Sequence, residues 1–244
     1  MNSLLYNEPK LLLDVITIYS KDDGEFSGFT ISNDPTGSYD LAIDNEKVKA
    51  KKHWKSLGVP NRSRLFTRND VKLTNEAMFS VSKPVHANLI SLIIRRENPN
   101  AKTITDGTAN VGGNVISFCN FFDKVNAVEM NTENYNALVH NVKVYKFNNC
   151  NTVLGDYTKI YNTLEEDVIF FDPPWGGVNY KKERFLDLRI GEYRVIDFIV
   201  KLLKKNIPVY VKLPFNFDPK GIRAFKNVCI RRIANYVLLS ARKN

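Results

Sequence analysis

From residue 101 onward, short apolar segments alternate with longer segments whose apolar residues recur at helical spacing. This alternation is typical of a parallel sheet with helices on both faces. The segment DVIFF ends in four consecutive apolar residues, as expected of a strand that is covered on both faces. The strands predicted in this region are 102–106, 124–130, 151–156, 167–171 and 208–213.

Helical patterns occupy the intervals between these strands and the segment before them. The predicted helices are 82–98, 114–122, 131–147 and 191–206. Two later apolar segments, 228–234 and 236–241, predict an antiparallel strand pair. The sequence therefore predicts an α/β fold with a Rossmann-like sheet, helices on both of its faces and an antiparallel C-terminal strand pair. Ligands of such sheets bind beyond the carboxyl ends of the strands.

Charge is distributed unevenly along the chain. Residues 1–46 hold two basic and nine acidic residues, and the other 33 basic and 17 acidic residues lie in 47–244. The stretch 47–72 has nine Lys or Arg residues against one acid, and it includes His53 and Trp54. Basic residues interleaved with aromatic ones favour a phosphate-binding surface over an ordinary solvated face.

These patterns divide the chain into three predicted parts. Residues 1–46 form an acidic N-terminal appendage, residues 47–100 a basic RNA-binding segment with a helix, and residues 101–244 the α/β core. No apolar run of about 18 residues is present, so we expect no membrane-spanning helix. The N-terminus lacks a basic region followed by an apolar core, as a secretory signal would have, so we expect an intracellular protein. We also expect a monomer.

The cysteine and histidine residues predict neither a disulfide framework nor a metal site. The three cysteines stand far apart in the sequence, and no histidine lies near one at metal-ligand spacing. We therefore expect no bound metal.

An acidic residue stands at the end of each of four successive predicted strands: Asp106, Glu129, Asp156 and Asp172. One such acid could be an ordinary polar cap, but four in order predict a single site at the carboxyl edge of the sheet. Asp106 opens the turn DGTANVGGN, whose glycines allow the backbone to approach a ligand. A carboxylate at Glu129 can accept hydrogen bonds from two ribose hydroxyls, and Asp156 can accept one from an adenine amino group.

Two motifs resemble those of S-adenosylmethionine-dependent methyltransferases. The turn after Asp106 resembles their first motif, and DPPW at 172–175 resembles the fourth motif of enzymes that methylate exocyclic nitrogens of bases. In that reading, the Asp172 carboxylate and the Pro173 carbonyl accept the two hydrogens of the amine, and the double proline preorganises them. Trp175 offers a stacking face to the base.

The resemblance becomes more specific when PPWGG is taken together with Tyr180, the upstream RLFTR and FSV segments and DGTANVGGN. This combination resembles the trimethylguanosine synthase family, which methylates guanine N2 of 7-methylguanosine RNA caps, and it extends from about 52 to 216. The resemblance implies S-adenosylmethionine as cofactor, and it implies cap contacts by Trp175 with the base and by Lys52 and Tyr180 with the phosphates. The implied cofactor-binding residues are Phe79, Ser80, Asp106, Gly107, Gly112, Asn114, Glu129, Asp156 and Asp172.

Two departures from the family pattern keep alternatives open. Relatives commonly have Ser at the position of Asp172, and they often have Arg at the position of Phe215, where one phosphate contact is expected to be missing. Lys212 or the 47–72 stretch is a candidate to replace that contact. The alternatives are methylation of an internal base (guanine N2 in ribosomal RNA, or adenine N6) and a non-catalytic cap-binding module.

The abundance of Asn and Lys is typical of an A/T-rich genome such as that of a large DNA virus. The expected compartment is accordingly the nucleus or, for a viral protein, the host cytoplasm.

Overall fold

The structure is a computed structural model that describes residues 14–18, 30–32, 68, 70–218, 221–222, 225, 227–233 and 236–243. The strands are β1 (Asp14–Ile18), β2 (Thr30–Ser32), β3 (Thr103–Asp106), β4 (Lys124–Glu129), β5 (Cys150–Leu154), β6 (Val168–Phe171), β7 (Arg189–Ile190), β8 (Tyr193–Arg194), β9 (Val209–Pro214), β10 (Asn227–Ile233) and β11 (Tyr236–Arg242). The helices are α1 (Ala77–Ser80), α2 (Pro84–Glu97), α3 (Gly113–Phe121), α4 (Thr132–Val144), α5 (Tyr157–Ile160) and α6 (Val195–Leu203), and a 3-10 helix covers Gly177–Lys182.

Nine of these strands form one sheet in the order β2-β1-β10-β11-β9-β6-β3-β4-β5. Strands β9, β6, β3, β4 and β5 are parallel to their neighbours within that set, whereas β11 pairs antiparallel with both β9 and β10. The predicted Rossmann-like sheet with an antiparallel C-terminal pair is confirmed. The chain runs outward from β3 through β4 to β5 and then returns to β6 on the other side of β3, so the switch point lies between β3 and β6.

Strand β6 shows why its sequence is continuously apolar. All four of its residues are fully buried, because helices cover both faces of the sheet at this point. Phe170 contacts Phe118 of α3 on one face, with ring centroids 5.1 Å apart. Phe171 contacts Tyr157 of α5 on the other face, with centroids 5.2 Å apart. Two adjacent phenylalanines therefore join the two halves of the core.

The helix predicted over 191–206 is shorter than expected. Gly191, with φ of +56°, makes the turn between β7 and β8, so that α6 begins only at Val195. At the other end, Asn206 takes a left-handed φ of +59°, and the helix ends before it. The prediction extended too far because the residues of this small hairpin fit the same helical period as the true helix.

The described parts of the predicted N-terminal appendage extend the main sheet. Strand β1 pairs antiparallel with β10, and β2 pairs with β1. The boundaries at 46 and 100 stay a prediction. No helix among the described residues is long and apolar enough to cross a membrane. Among the residues that the structure describes, no group of three or more His, Cys, Asp or Glu side chains could hold a metal ion.

Candidate active site

Asp106 is the last residue of β3 and is fully buried. Its Oδ1 accepts the backbone N–H of Thr108 at 3.0 Å, whereas Oδ2 has no hydrogen-bond partner in the described part of the chain. Burial raises the pKa of Asp106 to about 8, and the nearby charges of Asp172 and Glu129 act in the same direction. Such a carboxyl group is suited to a ligand that brings a hydrogen-bond donor or a positive charge.

The glycines of the turn between β3 and α3 are required by packing and by backbone conformation. A Cβ on Gly107 would lie 2.3 Å from the ring of Phe171, and a Cβ on Gly113 would lie 2.6 Å from Val81. Gly112 has φ of +98° at the N-cap of α3, where a side chain would be strained. Packing against Phe171 therefore requires glycine at Gly107, and the role of this residue in cofactor binding stays a prediction.

Glu129 ends β4, and backbone donors hold both of its carboxylate oxygens. Oε2 accepts the N–H of Asn110 at 2.7 Å, and Oε1 accepts the N–H of Asn131 at 2.7 Å. Asn110 has φ of +50°, a conformation that asparagine tolerates better than most residues. Burial raises the pKa of Glu129. Because a carboxylate oxygen has more than one acceptor site, the fixed carboxylate can still accept ligand hydroxyls.

Asp156 follows β5 and is the N-cap of α5. Its Oδ1 accepts both the backbone N–H of Thr158 at 2.9 Å and the hydroxyl of the same residue at 2.7 Å. Gly191 of the β7–β8 turn packs beside this cap, since a Cβ there would lie 3.1 Å from Asp156 Oδ1. Helix capping therefore fixes the orientation of Asp156 at the site edge.

Asp172 follows β6 directly, and its Oδ2 is the centre of a hydrogen-bond cluster. Oδ2 accepts from Lys212 Nζ at 2.7 Å, Ser82 Oγ at 3.0 Å and Asn114 Nδ2 at 3.3 Å. The backbone N–H of Asp172 donates to Thr108 Oγ1 at 2.7 Å. Oδ1 accepts no hydrogen bond from the described residues, although 11% of the side chain remains exposed. One carboxylate oxygen is thus saturated while the other can accept.

Trp175 lies just beyond the carboxyl end of β6 and packs partly against the cores on both faces of the sheet. Its ring meets Tyr180 edge-on, with centroids 5.3 Å apart, and Lys212 Nζ lies 5.1 Å from its centroid. Gly176 and Gly177 follow with φ of +88° and +75°, and no described heavy atom lies within 4 Å of a Cβ at either position. Backbone conformation, not space, requires glycine at both.

The structure brings most of the predicted site residues to one edge of the sheet. The four acids stand at the ends of β3, β4, β5 and β6, which are neighbours in the sheet. Ser80 joins them through Asn110, whose Nδ2 donates to Ser80 Oγ at 3.2 Å. Asn114 joins through Asp172, and Tyr180 through Trp175. Pro173, which lies between Asp172 and Trp175 in the sequence, is buried.

Three expectations need separate comment. Lys52, together with His53 and Trp54, lies outside the described residues, so its phosphate-binding role stays a prediction. Phe79 lies in α1, and its role in cofactor binding stays a prediction. Lys212 was a candidate to replace a missing phosphate contact, and the structure argues against it because the side chain is buried and bonded to Asp172.

Sequence reasoning missed several groups that complete the site. Ser82, Thr108 and Asn110 are not among the residues predicted from the sequence, and Lys212 is predicted only as one of two candidates for a phosphate contact. The signal for Lys212 was available, because a lysine inside the apolar strand VYVKLP has to find a buried partner. Asn110 could have been noticed as an asparagine within a glycine-rich turn. Ser82 precedes a helix and looks like an ordinary polar residue.

Comparison with known proteins shows the family of the chain. Residues 101–242, more than half of the chain, match the family described as RNA cap guanine-N2 methyltransferase. The chain belongs to this family.

Individual relatives match parts of the chain. An uncharacterized protein of Acanthamoeba polyphaga mimivirus is 42% identical over 120 residues, covering 47% of this chain and 47% of the relative. Trimethylguanosine synthase of Saccharomyces cerevisiae is 28% identical over 181 residues, covering 70% of this chain and 56% of the yeast protein. Trimethylguanosine synthase of Schizosaccharomyces pombe is 24% identical over 189 residues, covering 73% and 76%. The chain spans about half the length of the first two.

Solved structures agree on the fold. The T. thermophilus 16S rRNA N2 methyltransferase RsmC, in complex with AdoMet and guanosine, superposes with a TM-score of 0.53 at 14% identity, covering 72% of this chain and 45% of that one. The precorrin-6y C5,15-methyltransferase of Geobacter metallireducens superposes with a TM-score of 0.50 at 14% identity, covering 74% and 100%. The fold is that of S-adenosylmethionine-dependent methyltransferases.

The residues at this edge fit S-adenosylmethionine, the cofactor of this enzyme class. Asp106 Oδ2 and Asn114 Oδ1 are buried acceptors without a partner in the described part of the chain, and a cationic, donor-bearing ligand would satisfy them. Glu129 is held with acceptor capacity to spare, as a ribose diol requires. We therefore expect the cofactor along the ends of β3, β4 and β5, with Asp172 on the side where a methyl acceptor enters.

Proposed function

We propose that this protein transfers a methyl group from S-adenosylmethionine to the exocyclic N2 of a 7-methylguanosine RNA cap, giving 2,7-dimethyl- or 2,2,7-trimethylguanosine. The observation that carries the proposal is the placement of Asp172 and Trp175 on one turn at the switch point. An anionic acceptor and an aromatic ring are the two groups that a reactive purine amine needs beside it. The family assignment supports the cap guanine as this purine.

Asp172 acts on the amine by accepting a hydrogen bond. An exocyclic amine delocalises its lone pair into the ring and is a poor nucleophile, and acceptors that hold its hydrogens favour the pyramidal nitrogen that attacks. Asp172 Oδ1 has no competing donor among the described residues, whereas Oδ2 has three. The Pro173 carbonyl is the proposed second acceptor, because the fixed φ of proline preorganises that peptide.

Once bound, S-adenosylmethionine supplies a methyl group activated by a positively charged sulfur. Asp106 accepts from the amino-acid part of this ligand, Glu129 from its ribose and Asp156 from its adenine. Each acid is already held by hydrogen bonds from its own turn, so little reorganisation is needed when the ligand arrives. Binding of the cation favours the ionised form of Asp106, whose pKa is raised in its absence.

Trp175 recognises the base in this proposal, and Tyr180 and Lys52 contact the cap phosphates. A guanine methylated at N7 is cationic, and a tryptophan face attracts it by roughly 1–2 kcal/mol when water is excluded. The proposed partner is therefore capped RNA. We further propose that the protein acts as a monomer inside the cell. Residues 47–100 provide the basic surface and 101–244 the catalytic core, with 1–46 appended.

An internal base of RNA is the second candidate substrate. Asp172 favours it, because the acidic form of this motif also occurs in enzymes that methylate guanine N2 or adenine N6 elsewhere. The two candidates differ in one measurable property, which is the charge of the base. Only the cap guanine carries a positive charge for Trp175 to recognise.

The experiment offers the purified protein and S-adenosylmethionine three acceptors: an N7-methylated cap dinucleotide, the same dinucleotide without the N7 methyl, and uncapped RNA. We expect kcat/KM to be about 5- to 30-fold higher for the N7-methylated cap than for the plain cap, as roughly 1–2 kcal/mol implies. Trp175→Leu should erase most of this ratio, because leucine keeps apolar area without an aromatic face. Trp175→Phe should retain part of it.

Equal rates on the two caps would contradict recognition of the N7 methyl group, and faster methylation of uncapped RNA would move the assignment to the internal base. A ratio that survives in Trp175→Leu would remove Trp175 from cap recognition. Absence of methyl uptake by every acceptor, in a protein that still binds S-adenosylmethionine, would contradict the proposed acceptor class.

A further inference from the structure

Lys212 is a charged residue in a strand that is otherwise built like core. All six residues of β9 are buried, and the side chain of Lys212 is 8% exposed. Removing an ammonium group from water is costly unless hydrogen bonds and an opposite charge replace the lost hydration. A lysine in this position therefore destabilises the fold unless buried partners compensate for the lost hydration.

The ammonium group is held in a closed set of hydrogen bonds. Nζ donates to Asp172 Oδ2 and to Ser82 Oγ, each at 2.7 Å, and the hydroxyl of Ser82 in turn donates to the same Oδ2 at 3.0 Å. Asn114 adds a fourth contact from α3. Three donors converge on Oδ2, so rotation of the carboxylate would break three hydrogen bonds. The orientation of Oδ1 is therefore fixed.

The same ammonium group contacts two aromatic rings. Nζ lies 5.1 Å from the centroid of Trp175 and 5.1 Å from the centroid of Tyr236. A cation over an aromatic face is attracted to it, more strongly when water is excluded. Lys212 therefore links the carboxylate proposed to hold the amine with the ring proposed to stack on the base.

Three titratable groups around this cluster, His86, Tyr236 and Asp106, have pKa values shifted toward their neutral forms. Burial lowers the pKa of His86 to about 4, and the charges of Lys212 and Lys83 add to the effect. Burial and the charge of Asp172 raise the pKa of Tyr236 well above its ordinary value. With Asp106 also raised to about 8, the ion pair of Asp172 and Lys212 is the principal charge pair of the acceptor side.

We propose that Lys212 is a positioning residue for methyl transfer: it fixes Asp172 so that Oδ1 faces the amine, and it braces Trp175 from the side of the sheet. This inference rests on the proposed role of Asp172 as the acceptor for the amine. A positioning role differs from a purely structural role in its effect on catalysis. Lys212 influences the rate of methyl transfer through Asp172 and Trp175, in addition to any effect on stability.

A second buried ion pair in the chain serves as a matched control. Lys205 Nζ donates to Glu166 Oε1 at 2.7 Å, lies 5.6 Å from the ring of Tyr161, and is 23% exposed against 0% for its partner. Lys205 follows α6 and Glu166 precedes β6, and the hydrogen bonds of this lysine go to Glu166 and to the carbonyl oxygen of Tyr161, neither of which is a site residue. Lys205→Met should lower the Tm as Lys212→Met does, and it should leave kcat unchanged.

The experiment is a double-mutant cycle of Lys212→Met and Asp172→Asn. We measure kcat and KM with whichever acceptor the wild-type protein methylates. Lys212→Met should lower kcat about 10- to 100-fold, as a small misplacement of a reacting group does, while KM for S-adenosylmethionine changes little. The double variant should be no slower than Asp172→Asn by more than about threefold, because Lys212 then has no carboxylate to position.

Losses that multiply in the double variant, or a kcat of Lys212→Met within threefold of wild type, would overturn the inference. Ser82→Ala is the second variant, with a smaller expected loss of about 3- to 10-fold that is also absent in the Asp172→Asn background. The same cycle measured by urea unfolding detects the coupling without any acceptor, and a coupling of zero would refute the proposed contact. Methylation of an acceptor other than the cap would refute only the proposed function.

Discussion

At the level of single residues, Asp106 lowers the stability of the folded chain at neutral pH while it provides an acceptor, unpaired within the described part of the chain, for a ligand. The carboxyl group is fully buried, one oxygen has no partner among the described residues, and its pKa is raised to about 8. The charges of Asp172 and Glu129 raise this pKa further, and only Lys212 and the N–H of Thr108 oppose them. The folded chain without ligand therefore keeps a proton that the unfolded chain has lost at neutral pH.

This arrangement predicts a pH-dependent gain in stability for Asp106→Asn. The native pKa is raised, so the contribution of Asp106 to stability is fully present below about pH 4 and is lost as the pH rises toward 8. Asparagine carries no proton to lose. The Tm of Asp106→Asn should exceed that of wild type by more at pH 8 than at pH 5, by roughly 2–4 °C for each kcal/mol.

Thermal unfolding at the two pH values measures this, with Asp123→Asn as an exposed control that should show no such difference. The same Asp106 variant should bind S-adenosylmethionine at least tenfold more weakly, which isothermal titration would detect. A Tm difference that is constant or shrinks with pH would contradict the burial account of Asp106.

At the level of secondary-structure elements, the contact between α3 and the segment before α2 positions the acceptor side. Gly113 begins α3, and its Cα packs against the backbone of Ser82, whose hydroxyl holds Asp172. An added Cβ would lie 2.6 Å from Val81 and 2.9 Å from the carbonyl oxygen of Ser82. Neither the backbone nor the buried valine has room to retreat.

Gly113→Ala should therefore destabilise the protein, although alanine is normally favoured over glycine in a helix by about 1 kcal/mol. We expect a loss of roughly 1–3 kcal/mol in the free energy of unfolding, as for overpacked cores, together with lower kcat. Urea unfolding checks the first and a methyl-transfer assay the second. Gly155→Ala is the control for stability, because its Cβ would lie 3.8 Å from the nearest atom and should change the free energy by less than about 0.5 kcal/mol.

The elements themselves were largely predictable from the sequence, and their contacts were not. Strand β6 and the helices around it follow from apolar periodicity, because burial on two faces leaves no room for polar residues. The β7–β8 turn was missed, since a single left-handed glycine at Gly191 interrupts a pattern that otherwise fits a helix. Sheet order put the four acids together because carboxyl ends of parallel strands share one edge.

The partners within the site depend on long-range geometry. Lys212 and Asp172 are 40 residues apart, and Ser82 is 90 residues from Asp172. A lysine in a buried strand indicates that a partner exists, but only the packing of β9 against β6 identifies it. The same holds for Cys119 and Cys150, which stand apart in the sequence and pack in the same hydrophobic cluster.

At the scale of the whole molecule, the proposed function divides one sheet edge into two parts. In this proposal, β3, β4 and β5 end in the acids that hold the cofactor, and the ends of β6 and β9 carry Asp172 and Lys212 on the side of the methyl acceptor. The basic stretch 47–72 is the predicted source of phosphate contacts, with Lys52 among them. Together, we propose, these parts methylate the exocyclic N2 of a 7-methylguanosine cap.

The most direct test identifies the product nucleoside. The wild-type protein is incubated with S-adenosylmethionine and RNA that bears a 7-methylguanosine cap, the RNA is digested, and the nucleosides are separated and identified by mass spectrometry. We predict 2,7-dimethylguanosine or 2,2,7-trimethylguanosine, and loss of either product in Asp172→Ala, since one preorganised acceptor accounts for about 10²-fold or more in rate. Methyl groups found only on internal guanine or adenine, with the cap nucleoside unchanged, would contradict the account.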